Sequence, residues 1–97
     1  MSEIIWLPEA VKDMARLFDF LKGRNKGAAQ KAAKLIKSGA ALLQGQPLIG
    51  RLMDDSEDSR ELFLPFGQSA YVLRYRLDGE RVVVVRVWHG RELRDES

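Results

Sequence analysis

The fold turns on Tyr71-Val-Leu-Arg74-Tyr75-Arg76-Leu-Asp78-Gly79-Glu-Arg81-Val-Val-Val-Val85-Arg86-Val-Trp88-His89-Gly90-Arg91. Two runs rich in β-branched and aromatic residues flank an Asp-Gly dipeptide, the strongest short-range signal for a hairpin. With Asp78-Gly79 as a two-residue turn, Leu77 is expected opposite Glu80, Tyr75 opposite Val82, Leu73 opposite Val84 and Tyr71 opposite Arg86. One face then carries Tyr71, Leu73, Tyr75, Leu77, Val82, Val84 and Trp88, and this more apolar face is expected to receive helices. The other carries Val72, Arg74, Arg76, Arg81, Val83, Val85, Val87 and His89. With four valines, three arginines and a histidine, it is expected to be a binding face. The unbroken run Val82 to Val85 predicts an interior strand covered on both sides.

Upstream, Arg60–Phe66 reads as a third strand of the same meander. It follows the acidic, turn-forming segment Asp54-Asp55-Ser56-Glu57-Asp58-Ser59, a pattern of a solvated loop whose spacing matches no calcium loop. Further back, apolar residues recur at helical spacing from Pro8 to about Lys22: Val11, Met14, Ala15, Leu17, Phe18 and Leu21. Pro8 suits the first helical position, which needs no amide donor, and Gly23 is placed to end the helix. Asn25 can cap a second helix that runs to about Leu43. Its apolar stripe is Ala28, Ala29, Ala32, Leu35, Ile36, Leu42 and Leu43, and Gly39 weakens it near the end. Two helices on a short link predict an antiparallel hairpin. Ile4-Ile5-Trp6-Leu7 is one more short strand. The predicted class is α+β, a strand, a helical hairpin and a three-stranded antiparallel meander (βααβββ), forming a single domain over residues 1–97.

Composition narrows the function classes. The 97 residues contain no cysteine, so a disulfide scaffold and a thiolate metal site are both excluded. No apolar run approaches the roughly 18–20 residues of a membrane span, and residues 1–8 lack the pattern of a signal peptide. A soluble, cytoplasmic chain is expected. The formal net charge is only +2, less basic than a typical nucleic-acid binder. Its distribution is uneven: every lysine lies between Lys12 and Lys37, and past Gly50 the basic residues are all arginine. Arginine offers a planar fork for carboxylates and phosphates. These side chains either pair with the many nearby acids or present a binding face.

The ordered set Arg60-Glu-Leu62, Tyr71-Val-Leu-Arg-Tyr75-Arg and Val85-Arg-Val-Trp88-His89-Gly90-Arg91 resembles the RelE/ParE toxin superfamily, the toxin halves of bacterial type II toxin–antitoxin pairs. The family pattern is an Arg-x-Leu strand, a Tyr-x-(apolar)-x-Tyr-Arg strand and an apolar strand ending in His-Gly-Arg. Pro8-Glu9-Ala10 before an amphipathic helix also fits. The resemblance spans essentially the whole chain, but only the last 40 residues or so are specific. It implies a cognate antitoxin of the ParD/RelB kind, held in a hetero-oligomer, and no cofactor or metal.

Two activities are known on this fold, and fold alone does not choose between them. RelE-like members cut messenger RNA on the ribosome; ParE-like members inhibit DNA gyrase by protein binding. A metal-free ribonuclease must move a 2′-hydroxyl proton, stabilise a pentacovalent phosphate and protonate the leaving oxygen. For that activity the candidates are Arg60, His89 and Arg91. Val72 stands where such nucleases often carry arginine, and Leu93-Arg94-Asp95-Glu96-Ser97 offers no tyrosine or further histidine. The set is incomplete, so the resemblance leans toward the ParE-like, gyrase-inhibiting group. Arg60, Arg74, Trp88, His89 and Arg91 are then expected to contact target or antitoxin. Trp88 alternatively seals the core beneath the helices, His89 alternatively only finishes its strand, and an inactive antitoxin-binding homologue is a further reading.

Overall fold

The computed structural model describes residues 3–54 and 58–92. Residues 55–57 of the acidic segment and the tail from Leu93 to Ser97 therefore lie outside the described residues. The chain runs β1 (Glu3–Trp6), α1 (Pro8–Lys22), α2 (Lys26–Leu42), β2 (Arg51–Leu52), β3 (Ser59–Phe66), β4 (Ser69–Asp78) and β5 (Arg81–His89). These form a five-stranded sheet in the order β1-β5-β4-β3-β2, with the helical hairpin on one face. The predicted βααβββ order holds, with one short strand added.

The helix ends follow their expected chemistry. Pro8 opens α1, and the Asn25 side chain caps α2 by accepting the Ala28 N–H at 3.0 Å. Gly23 does cap α1, but with an ordinary φ of −67°, so its glycine freedom is not used there. Gly39, by contrast, is needed. A Cβ at this position would lie 2.7 Å from a Leu64 methyl, so its absence lets α2 settle against β3.

The predicted hairpin register is corrected in two places. The turn is Gly79-Glu80, not Asp78-Gly79: Asp78 pairs with Arg81, Leu77 with Val82 and Tyr75 with Val84. Gly79 takes the left-handed conformation (φ 60°) at the first turn position, as a type II′ turn requires, so Asp78 stays extended. The second correction is a bulge. Beyond Tyr75↔Val84 the ladder resumes at Arg74↔Arg86, leaving Val85 without a partner. One extra residue reverses which side each later residue faces. Leu73↔Val87 and Tyr71↔His89 therefore face the helices, while Val72↔Trp88 and Arg74↔Arg86 lie on the open side. Trp88 thus does not seal the core beneath the helices, and Val87 and His89 do not belong to the arginine face.

The core lies between hairpin and sheet. Ala10, Leu17, Ala32, Ile36, Ala40 and Leu43 meet Leu64, Tyr71, Leu73, Tyr75, Val82, Val84 and Val87. As the valine run predicts, β5 is an interior strand, although its neighbour β1 runs parallel to it and pairs only from Glu3↔Arg81 to Trp6↔Val84. Leu7 N–H donates to Val84 O (3.0 Å), and the chain then turns into α1. Past Val84 the outer edge of β5 faces α1 instead of a strand. An exposed edge amide is a liability, and here Asp13 of α1 accepts the Val87 N–H at 2.9 Å.

Candidate functional site

Register alone builds a row of charges across the open face. Glu61 of β3 lies opposite Arg74 of β4, which lies opposite Arg86 of β5. Two arginines facing each other across a ladder repel. Three side chains resolve this. Arg74 donates to Glu61 Oε2 from Nη2 (2.9 Å) and Nε (3.2 Å). Arg86 donates to Asp13 from Nε (2.7 Å) and Nη2 (3.1 Å). The Trp88 ring lies beside both guanidiniums, 4.8 Å from Arg74 and 5.2 Å from Arg86, an arrangement favourable to each cation. Asp13 and Glu61 are each 4% exposed and Trp88 is 3% exposed, so this row is an interior structure on a nominally open face.

Burial by itself pushes the Asp13 carboxyl up. Hydrogen bonds from Arg86, the Val87 N–H and Arg16 outweigh it and hold the group below its ordinary 3.8. Asp13 is the hub of this corner. Arg16 pairs with Asp13 at 3.1 Å and also with Glu92, and Glu92 accepts the His89 N–H at 3.0 Å.

Arg60 sits at the other end of the sheet, on the helix side, paired with Tyr75. Its Nη1 donates to Gly50 O (2.9 Å) and Leu48 O (3.2 Å). Tyr75 Oη accepts the Gly50 N–H (2.9 Å) and donates to Pro47 O (2.8 Å). A Cβ on Gly50 would meet that hydroxyl at 2.5 Å. Arg60 and Tyr75 together clamp the segment that joins α2 to β2. Burial raises the Tyr75 phenol above its ordinary value, with the Gly50 N–H and Arg60 offsetting only part of this.

His89 packs edge-on against Tyr71, with ring centroids 5.4 Å apart, and its Nδ1 accepts the Arg91 N–H at 3.1 Å. The expected site residues therefore fall into three groups: Arg74 with Trp88 on the open face, His89 with Arg91 at the end of β5, and Arg60 at the loop clamp. Arg60 and His89 pair with β4 at Tyr75 and Tyr71, four residues apart, or roughly 13 Å along the strand. They do not converge on one reacting atom.

Sequence reasoning missed Asp13, Glu61 and Arg86. Asp13 had a readable signal, because it follows Ala10 by three residues and precedes Leu17 by four on the buried stripe of α1. Glu61 and Arg86 had none without the register.

Two grooves flank this framework. The first, about 510 Å³, lies where α1 and the end of α2 meet β1. It is lined by Ile4, Trp6, Val11, Met14, Ala40 and Ala41, with Lys37 and Gln44 at the rim. The second, about 550 Å³, lies between α1 and the ends of β4 and β5.

A helical hairpin over one face of the sheet is the fold that solved toxin structures share with this chain. The family model "ParE toxin of type II toxin-antitoxin system, parDE" matches residues 4–94. Toxin RelE1 of Caulobacter vibrioides is 42% identical over 85 residues, covering 88% of this chain and 89% of that protein. Toxin RelE3 of the same organism is 38% identical over 87 residues, covering 90% and 92%. Among solved structures, the chromosomal ParDE system from P. aeruginosa superposes with a TM-score of 0.76 at 20% identity, covering 92% of this chain and 96% of that one. The intact E. coli RelBE toxin–antitoxin complex does so with a TM-score of 0.68 at 18% identity, covering 97% and 100%. This chain belongs to the ParE toxin family and is a type II toxin of the RelE/ParE superfamily.

Proposed function

We propose that this toxin acts by binding a protein target, with DNA gyrase as that target, and that a cognate ParD/RelB-like antitoxin neutralises it. The carrying observation is the state of Arg74 and Arg86, the two open-face arginines beside Trp88. Arg74 and Arg86 are each engaged by a buried carboxylate, Glu61 and Asp13. A guanidinium so matched contributes little to a developing phosphorane charge. The neighbouring position on β4 is Val72, which is buried and apolar. Arg60 is engaged by loop carbonyls, and His89 lies on the other side of the sheet from Arg74. Among the described residues no acid–base pair flanks a free cation on that face.

The antitoxin reading rests on the first groove. Its apolar lining continues β1, whose outer edge has no strand partner among the described residues. An extended or helical segment that folds on binding can add main-chain hydrogen bonds there and bury apolar side chains in the groove.

Two observations favour the second reading, a ribosome-dependent endoribonuclease. Arg91 has no carboxylate partner among the described residues, and the curated relatives carry the name RelE. A single preparation of the toxin decides. Purified gyrase is assayed for supercoiling, and a translating extract is assayed for codon-associated message cleavage by primer extension. Inhibited supercoiling with intact messages is expected. Cleaved messages that become intact with Arg91→Ala, beside unaffected supercoiling, would replace the gyrase reading with the nuclease.

A further inference from the structure

The second groove is chemically unlike the first. Leu17, Leu21 and Tyr71 give it an apolar floor, and Phe20, Arg24, His89 and Arg91 stand around it. Its volume of about 550 Å³ falls within the roughly 300–1,000 Å³ of small-ligand sites. Arg16 and Glu92 also line it, but they are matched to each other, and Arg16 also pairs with Asp13. Arg24 and Arg91 are not matched: neither has a carboxylate partner among the described residues. Two unmatched guanidiniums beside an apolar floor favour an anion.

The remaining features select the kind of anion. The Arg24 guanidinium lies 4.7 Å from the Phe20 ring centroid, and Phe20 is 59% exposed. Stacked cation and ring form a shelf on which a further planar ring extends the stack. His89 accepts the Arg91 N–H at Nδ1, which places the proton of the neutral imidazole on Nε2 and makes that nitrogen a donor. The Arg91 fork and the imidazole N–H together supply several donors for the oxygens of one phosphoryl group. We infer that this groove binds a small aromatic phosphate of nucleoside-monophosphate size, its ring on the Phe20–Arg24 shelf and its phosphate toward Arg91 and His89. The site lies across the sheet from the Glu61–Arg74–Trp88–Arg86 row and requires no cleavage chemistry.

The test titrates the isotope-labelled full chain with adenosine monophosphate, adenosine, inorganic phosphate and an acidic aromatic peptide. The His89 imidazole and the Nε–H groups of Arg24 and Arg91 are followed by NMR. The nucleotide is expected to shift all three and to bind at least about tenfold tighter than adenosine or phosphate alone. Arg24→Gln and Arg91→Gln, both exposed and checked for folding by circular dichroism, should each weaken it by about tenfold. Arg76→Gln, outside the groove, should not. Three results would overturn the inference: no shift at these residues, unchanged affinity in both variants, or tighter binding of the peptide, which would make the groove a peptide site. Each is independent of the supercoiling assay, so failure here leaves the target reading standing and the converse also holds.

Discussion

At Asp13 the helix places a carboxylate on its buried stripe, where Ala10 and Leu17 precede and follow it. Three donors surround it, from Arg86, Arg16 and the edge amide of Val87. Asp13→Asn keeps the shape, removes the charge and turns one oxygen into a donor facing donors. Expected at neutral pH is a loss near the low end of the roughly 3–5 kcal/mol seen when a buried pair is broken, because Arg86 keeps some contact with water. The pH dependence has a definite sign. The folded carboxyl titrates below its ordinary 3.8, so its contribution is present above that value and is lost as pH falls toward the folded pKa. Urea unfolding at pH 7 and pH 3 checks this: the gap between wild type and variant should narrow at the lower pH. An equal gap at both would place the effect in packing rather than charge.

Elements were legible where local chemistry decides them. Pro8 and Asn25 start helices by satisfying or removing orphan amide donors, and alternation marks the strands. Two element-scale features were not legible. Asp78-Gly79 marks the bend, but which residue takes the positive φ depends on the register that the rest of the sheet imposes. The bulge at Val85 is also invisible locally, because a valine run fits either face. It changed the meaning of every residue after it, bringing Trp88 to the arginines and His89 to the helices. Gly39 gives this scale its prediction. Alanine there gains up to about 1 kcal/mol of helix propensity but drives a methyl into Leu64, and overpacking costs roughly 1–3 kcal/mol. A net loss in thermal stability is expected for Gly39→Ala. Combined with Leu64→Val it should cost less than the sum of the two single changes. Strict additivity would count against the contact.

For the whole molecule, thin stability and a wide apolar groove belong together. A 97-residue chain buries only about two-thirds of its unfolded surface, while Val11 remains 53% exposed at the groove beside β1. A partner seated there adds stability by mass action. Val11→Glu places a charge on that surface without touching the core, so the variant should fold with nearly unchanged stability. Its affinity for the cognate antitoxin should fall by about tenfold or more, measured by calorimetry. Unchanged affinity would move the antitoxin to another face.

By itself the amino-acid order determined the helices, the meander, the class of chain and the residues worth watching, because caps, periodicity and turn chemistry act over a few neighbours. Which of those residues meet was decided by tertiary structure alone. Glu61, Arg74, Trp88, Arg86 and Asp13 come from three strands and a helix, joined by a register that one extra valine sets. Long-range pairing matches Arg74 to Glu61 and Arg86 to Asp13, while at the groove on the helix side Arg24 and Arg91 have no carboxylate partner among the described residues.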